Sequence, residues 1–190
     1  MTYYQDLKNA KEYIKRADGY NGKIFIPNLQ KYMNDGATLL ELGMGPGTDV
    51  DLFSEFYHIT GSDYSQAFLD IYKKKNPNAK LLLLDAITIK TIQKFDCIYS
   101  NKVLHLFSKN ELIKSLKNQL KCLNQNGIIL HTFWHGDGEM THGGIKYMYY
   151  NEKSIIDLIP PQYEVLEIKK FNEMDKDDSF YVVLRKINEI

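Results

Sequence analysis

The chain has 190 residues, of which 44% are hydrophobic, and this length suits one compact domain with its own core. Basic and acidic residues number 24 each, so the formal net charge is zero. A neutral protein has no general attraction for phosphate backbones, and we therefore expect no nucleic-acid partner.

Other compositional features predict a cytoplasmic protein. The two cysteines, Cys97 and Cys122, lie in apolar segments without metal-type spacing, which predicts buried free thiols in a reducing compartment. Residues 1–13 lack the apolar core of a signal peptide. No apolar run approaches the roughly 18 residues of a membrane span, so no membrane segment is expected.

Short apolar runs alternate with helical patterns along most of the chain. Residues 2–16 are predicted to be helical and precede the first run. Runs that are apolar almost throughout are typical of strands buried on both faces of a parallel sheet. The predicted strands are residues 37–43, 58–63, 80–86, 95–100 and 127–134. The predicted intervening helices are residues 48–57, 65–75 and 108–123, the last with a Ser108–Glu111 capping box, and residues 86–94 predict a loop or short helix.

The C-terminal part has a different pattern. Residues 134–144 predict a glycine-rich lid loop, and residues 151–160 predict a helix. Two β-rich runs, 163–174 and 179–187, flank the polar turn 175–178 and predict an antiparallel hairpin. The chain is thus predicted to be a single α/β domain with a doubly wound sheet and an antiparallel strand at one edge. Its predicted parts are an N-terminal helical cover (1–36), a core (37–134) and a C-terminal lid, helix and hairpin (135–190).

The segment 39-LLELGMGPGTD-49 ends the first predicted strand with glycines at alternate positions, Gly43, Gly45 and Gly47. Glycine permits positive φ and lets a ligand approach the backbone closely. Asp63 ends the second predicted strand, where a carboxylate can accept both hydroxyls of a ribose. A glycine-rich turn that merely packs is the alternative, and Asp63 argues against it.

The glycine spacing separates two classes of nucleotide site. A dinucleotide site has its third glycine where this chain has Thr48. The pattern acidic-x-Gly-x-Gly-x-Gly, present here as ELGMGPG from Glu41 to Gly47, resembles that of the class I S-adenosylmethionine-dependent methyltransferases. The resemblance covers most of residues 37–134. It implies a Rossmann-like, mostly parallel sheet of seven strands, of which the C-terminal hairpin supplies the last two.

The resemblance also implies cofactor contacts. Asp63 would hold the ribose, with Tyr64 against the adenine. Asp85 would meet the adenine amino group, and Ala86 would offer its backbone N–H to the ring. The exit of the fourth strand would line the methionine part. The predicted cofactor contacts are Glu41, Gly43, Met44, Gly45, Gly47, Asp63, Tyr64, Asp85, Ala86, Ser100, Asn101 and Tyr20.

The turn before the fifth strand departs from the family pattern. Relatives commonly have Pro-Gly-Gly there, whereas this chain has Gln125, Asn126 and Gly127. Asparagine and glycine can supply the same left-handed conformations.

The acceptor side has three candidate residues. His105 follows the fourth strand and could accept a proton from a hydroxyl or amine, although a half-buried helix histidine is the alternative. Trp134 and His135 lie at the end of the fifth strand. They could either bind the acceptor or pack within the loop, and the sequence does not decide between these roles. The histidines near residues 131–142 have no recognised metal-ligand spacing, so no metal is expected.

The predicted function is methyl transfer from S-adenosylmethionine to a small-molecule acceptor, leaving S-adenosylhomocysteine. Residues 100–103 lack the Asn/Asp-Pro-Pro-aromatic pattern of amino-methylating nucleic-acid enzymes, so a small acceptor follows by elimination. The transfer would be direct and in line, without a defined catalytic residue. A cofactor-binding sensor or partner subunit is the alternative, and an NAD(P)-dependent oxidoreductase is a weaker one.

Overall fold

The structure, a computed structural model, describes residues 3–187. The chain divides into two compact units, with the boundary between Ala86 and Ile87. Within the described residues, no helix is long and apolar enough to cross a membrane.

The first unit contains a parallel three-stranded arrangement. Strand β1 is Thr38–Leu42, β2 is His58–Asp63 and β3 is Leu81–Leu83. β2 pairs with both of the others, so the ends of β2 and β3 meet where Asp63 opposes Leu83. Its helices are α1 Leu7–Arg16, α2 Ile26–Gln30, α3 Thr48–Phe53 and α4 Gln66–Lys75.

The second unit contains the remaining strands. They are β4 Phe95–Ser100, β5 Leu123–Trp134, β6 Glu139–His142, β7 Ile145–Met148, β8 Tyr163–Phe171 and β9 Ser179–Lys186. Its helices are α5 Lys109–Cys122 and α6 Glu152–Ile156. β4 and β5 are parallel, whereas β9 runs antiparallel to both β5 and β8.

The strand order of the main sheet is β3-β2-β1-β4-β5-β9-β8. This order confirms the predicted α/β fold with a seven-stranded, mostly parallel sheet and an antiparallel C-terminal hairpin. Successive residues such as Ile128, Ile129 and Leu130 are buried, which confirms that the central strands are covered on both faces. The Ser108–Glu111 capping box is also confirmed, and both cysteines are free and buried.

The segment 134–144, predicted to be a loop, is instead partly strand. β6 and β7 form an antiparallel hairpin that makes a two-stranded sheet of its own. Gly143 and Gly144 connect the two strands with φ values of 58° and 77°. Positive φ at both central residues is what a tight two-residue hairpin turn requires. The Gly-Gly pair between two short β-rich runs was therefore the sequence signal for this hairpin.

The predicted turn at residues 125–127 lies inside a longer strand, because β5 begins at Leu123. Asn126 has the predicted left-handed conformation, with a φ of 58°. Gly127 has a different role, since a Cβ atom there would lie 3.0 Å from the Asn124 carbonyl oxygen and 3.2 Å from that of Asp96. Glycine at 127 thus permits close approach of two backbone segments.

A hydrogen-bonded chain crosses the interior of the second unit. The Ser100 hydroxyl lies 2.8 Å from His131 Nδ1, and His131 Nε2 lies 2.8 Å from Gln119 Oε1. All three side chains are fully buried. Burial lowers the pKa of His131 to about 3, so the imidazole stays neutral and joins β4, β5 and α5.

We expect His131 to make the protein sensitive to acid. Between its ordinary pKa of 6.5 and the lowered value, the unfolded chain binds a proton that the folded chain does not, so stability falls as pH falls. From pH 6.5 to about pH 4, the free energy of unfolding should fall by about 3 kcal/mol more in the parent than in His131→Gln. Urea unfolding measures this difference.

Exposed His58 supplies the control, because His58→Gln should keep the full acid sensitivity of the parent. Equal acid losses in the parent and in His131→Gln would contradict this prediction.

Candidate functional site

The loop from β1 to α3 has the conformation that its glycines predict. Gly43, Gly45 and Gly47 have φ values of 69°, 49° and 84°. A Cβ atom at Gly47 would lie 2.3 Å from the Tyr72 ring, so packing also requires glycine there. A Cβ atom at Gly45 would make only an ordinary contact, 3.5 Å from Tyr13.

Asp63 fastens this loop to the end of β2. Its Oδ2 atom accepts a hydrogen bond from the Gly45 N–H at 2.9 Å, and Oδ1 accepts from the Ser65 N–H at 2.8 Å. Burial raises the pKa of Asp63, and these backbone hydrogen bonds oppose the rise. A carboxylate oxygen can accept a second hydrogen bond, so the predicted ribose contact is compatible with both backbone bonds.

Further acidic side chains are buried around the loop. Glu41 on β1 is 3% exposed, and its Oε2 atom has no hydrogen-bond partner. Burial, and then the charges of Asp49, Asp63 and Asp51, raise the pKa of Glu41 well above its ordinary value. Asp49 accepts a hydrogen bond from the Gly22 N–H at 2.6 Å. This acidic cluster (Glu41, Asp49, Asp51 and Asp63) favours a ligand with positive charge and hydrogen-bond donors.

The N-terminal segment contributes an aromatic contact through Tyr13, one of the N-terminal tyrosines from which the sequence analysis had favoured Tyr20. Tyr13 approaches Gly45, and its ring lies 5.1 Å from that of Tyr4 and 5.7 Å from that of Phe68. Tyr20, the tyrosine chosen from the sequence, is 44% exposed.

The predicted adenine contacts lie at the carboxyl ends of neighbouring strands. Tyr64 follows β2 and is 43% exposed, which leaves ring surface for stacking. The Leu84 N–H, just beyond β3, donates to the Asp63 carbonyl at 2.9 Å, and the partly exposed Asp85 and Ala86 follow it. The structure thus brings Tyr64 and Asp85 to the same edge of the first unit.

In the second unit, the exit of β4 is held by hydrogen bonds. The Ser100 hydroxyl contacts His131 in the interior, so a cofactor contact at this position would use the backbone. The Thr132 hydroxyl donates to Asn101 Oδ1 at 2.7 Å and accepts from the Lys102 N–H at 2.8 Å. Lys102 has a φ of 55°, which is uncommon for a residue other than glycine.

His105 is more buried than the sequence suggested. It lies in a single 3₁₀ turn, Leu104–Leu106, and is 3% exposed, which corrects the alternative of a half-buried helix histidine. Its ring centroid is 5.4 Å from that of Tyr147 and 6.4 Å from that of Trp134. The Nδ1 atom is buried without a hydrogen-bond partner. Burial, and then the charge of Lys102, lower the pKa of His105 to about 3.

Lys102 is a further residue that the sequence analysis missed. Its Nζ atom lies 3.2 Å from the centroid of the Trp134 ring, 2.8 Å from Glu173 Oε2 and 2.6 Å from Ser179 Oγ. Burial lowers the pKa of Lys102 to about 8, and Glu173 opposes this change. No local pattern marks Lys102, because Glu173 and Ser179 lie more than 70 residues further along the chain.

The structure places His135 beside α6. His135 Nε2 lies 3.3 Å from Glu152 Oε2, and the His135 ring meets Phe180 edge-on at 6.2 Å. Among residues 3–187, no group of three histidine, cysteine, aspartate or glutamate side chains could hold a metal ion.

The two glycines Gly47 and Gly36 form a matched pair for mutation. Their φ values are 84° and 81°, but a Cβ atom at Gly36 would have nothing within 4 Å. We expect Gly36→Ala to cost about 1 kcal/mol from the left-handed backbone alone. Gly47→Ala should cost about 2 kcal/mol more, because the buried Tyr72 ring is also held by its hydrogen bond to Asp51.

Urea unfolding measures both costs, and calorimetry with S-adenosylhomocysteine should show weaker binding only for Gly47→Ala. Equal costs for the two substitutions would contradict the packing role of Gly47.

The buried Glu41 should destabilise the protein when no ligand is bound. Its raised pKa means that the folded state binds the Glu41 proton more tightly than the unfolded state, so stability falls as pH rises above 4.5. We therefore expect Glu41→Gln to raise the melting temperature at pH 7, with a smaller gain near pH 4.5. The variant should also bind S-adenosylhomocysteine more weakly, because it loses the unpartnered carboxylate oxygen.

Glu55→Gln, at an exposed position, is the control and should leave both quantities unchanged. A melting temperature below that of the parent at pH 7 would show that Glu41 stabilises the ligand-free fold.

Comparison with known proteins agrees with this arrangement. Residues 39–127 match the family described as a methyltransferase domain. A search of curated proteins by sequence found no significant match.

Solved structures share the fold at low sequence identity. An S-adenosylmethionine-dependent methyltransferase from Clostridium acetobutylicum matches with a TM-score of 0.78 and 14% identity, over 96% of this chain and 100% of that one. The N-methyltransferase NodS from Bradyrhizobium japonicum, in complex with S-adenosyl-L-homocysteine, matches with a TM-score of 0.73 and 14% identity, over 98% and 99%. The glycopeptide N-methyltransferase MtfA, also with S-adenosylhomocysteine, matches with a TM-score of 0.71 and 12% identity, over 86% and 89%. Residues 39–127 thus match the methyltransferase-domain family, and the chain shares the fold of solved S-adenosylmethionine-dependent methyltransferases.

Proposed function

We propose that this chain transfers a methyl group from S-adenosylmethionine directly, in line, to a small-molecule acceptor. The observation that carries the proposal is the left-handed glycine loop, Gly43 to Gly47, fastened to the end of β2 by Asp63. We further propose that Asp63 holds the ribose, that Tyr64 and Asp85 contact the adenine, and that Asn101 lies near the methionine part.

The residues of the first unit fit this cofactor. S-adenosylmethionine supplies an activated methyl group on a positively charged sulfur, so the task of the protein is mainly to bind and orient. The acidic cluster favours the cationic groups of such a ligand, and Glu41 Oε2 is a buried acceptor without a partner. The half-exposed Tyr64 ring offers an apolar face for a base.

The same features disfavour a dinucleotide. The first turn of α3 carries Asp49 and Asp51, whose charges repel the pyrophosphate that a dinucleotide site places at this helix. Thr48 also occupies the position of the third dinucleotide glycine.

Two observations support a small acceptor. NodS and MtfA are described as N-methyltransferases, the second for a glycopeptide. Over residues 87–187, the second unit also adds only the short β6–β7 hairpin, α6 and one 3₁₀ turn to the strands and helix of the core. We place the protein in the cytoplasm on the basis of its two free, buried thiols.

We expect S-adenosylmethionine and S-adenosylhomocysteine to raise the melting temperature, and NAD and NADP to leave it unchanged. A ligand at roughly a hundredfold excess over its dissociation constant stabilises by about 3 kcal/mol, which thermal unfolding detects readily. A shift with NAD and none with S-adenosylhomocysteine would overturn the assignment. Release of S-adenosylhomocysteine in a screen of small amines, phenols and thiols then separates an enzyme from a cofactor-binding protein without turnover.

A further inference from the structure

The buried His105 Nδ1 atom lacks the hydrogen bond that buried polar groups almost always make. Its side chain is 3% exposed, and no donor or acceptor among residues 3–187 makes a hydrogen bond to Nδ1. Leaving such an atom without a partner costs stability, and its persistence needs an explanation. His131 in the same unit shows the ordinary arrangement, with both ring nitrogens hydrogen-bonded.

Two aromatic rings lie near the His105 ring. Tyr147 on β7 and Trp134 at the end of β5 have centroids 5.4 Å and 6.4 Å from that of His105. Together these residues form the His105 cluster (His105, Trp134 and Tyr147). A cluster with apolar faces and one buried polar atom suits a small ligand that has a flat or apolar body and a single polar group.

The positive charge of Lys102, beside the cluster, limits which polar group a ligand can carry there. The Lys102 ammonium lies on the Trp134 ring and is held there by Glu173 and Ser179. Although Glu173 pairs with this ammonium, the Lys102 charge still acts at the His105 ring and disfavours a second cation there. It also disfavours protonation of His105, which therefore keeps a lone pair on one ring nitrogen.

We propose that the methyl acceptor binds at the His105 cluster through an uncharged N–H or O–H group that donates a hydrogen bond to His105 Nδ1, and that Lys102 disfavours cationic acceptors. This inference rests on the proposed function and narrows its acceptor class. A nitrogen or oxygen acceptor carries the proton that such a bond requires. His105 is thus a binding and orienting residue for the acceptor.

Access to the cluster depends on the β6–β7 hairpin, which carries Tyr147. This hairpin forms a sheet of its own, and its base is held by the Tyr149 N–H to Gly138 carbonyl hydrogen bond at 3.0 Å. Gly138 has a φ of 81° and has room around it, since a Cβ atom there would meet nothing within 4 Å. Because Nδ1 is buried, an acceptor could reach it only if a neighbouring group such as the Tyr147 ring moved.

The sole tryptophan of the chain is Trp134, so its fluorescence reports on this cluster directly. We would titrate the protein, with S-adenosylhomocysteine present, with three single-ring probes: phenol, toluene and benzylamine. Phenol is an uncharged donor, toluene has no donor, and benzylamine is cationic at pH 7. The parent should bind phenol about tenfold more tightly than toluene, the value expected for one hydrogen bond, and should bind benzylamine most weakly.

Three variants assign the effect to residues. His105→Phe should abolish the preference for phenol over toluene, and His105→Asn should retain part of it, because the Asn carboxamide oxygen can replace Nδ1 as the acceptor. Lys102→Met should strengthen benzylamine binding relative to phenol. Lys146→Met is the matched control, since Lys146 is an exposed lysine on β7. Thermal unfolding of each variant confirms that it is folded.

The outcomes separate the two proposals. Failure of the parent to bind any probe, equal binding of phenol and toluene, or an unchanged phenol preference in His105→Phe would overturn the inference about His105. Benzylamine binding as tight as phenol binding would overturn the role of Lys102. S-adenosylhomocysteine affinity, measured in the same samples, tests the proposed function independently: its absence would reject that function, whereas its presence with no phenol preference would reject only the acceptor site.

Discussion

The candidate cofactor site of the first unit depends on the two backbone hydrogen bonds that Asp63 accepts. The Gly45 bond at 2.9 Å and the Ser65 bond at 2.8 Å connect the loop after β1 to the loop after β2. These loops follow adjacent parallel strands, so their separation is set by the sheet, and one carboxylate spans it. The left-handed glycines let the backbone turn tightly enough to present its N–H to that carboxylate. Asp63 therefore both holds the glycine loop in place and contributes negative charge to the site.

This arrangement places negative charge where it is costly to the unliganded protein. Glu41 is buried among the charges of Asp49, Asp51 and Asp63, and burial alone already favours its neutral form. A fold selected only for stability would have an apolar side chain at the end of β1. Functional sites commonly retain such unfavourable groups because a ligand compensates them. The cost at Glu41 is thus an argument for a ligand that carries positive charge and donors.

Local sequence patterns predicted most helices and strands. Most of the residues that the sequence did not reveal are positioned by contacts between distant parts of the chain. Apolar runs buried on both faces, the Ser108–Glu111 capping box and the spacing of Gly43, Gly45 and Gly47 are all local features, and each appears in the structure. The β6–β7 hairpin was missed because glycines were interpreted as a mobile loop, although Gly143-Gly144 is a hairpin turn signal. Lys102 could not be found, because its partners Glu173 and Ser179 approach it only through pairing of β5, β9 and β8. Likewise, only the folded chain distinguishes Tyr13, which reaches the glycine loop, from the more exposed Tyr20.

The two buried histidines of the second unit differ in their hydrogen bonding. His105 and His131 are both nearly inaccessible, and burial lowers both pKa values to about 3. Burial and pKa therefore do not distinguish His105 from His131. His131 bonds to Ser100 and Gln119, so its polar atoms are fully accounted for by the fold. His105 has a nitrogen for which the fold supplies no partner, and its neighbours are two aromatic rings and a lysine held by a distant glutamate. In the proposed reaction, a methyl acceptor with an N–H or O–H group would supply the missing partner of His105 Nδ1.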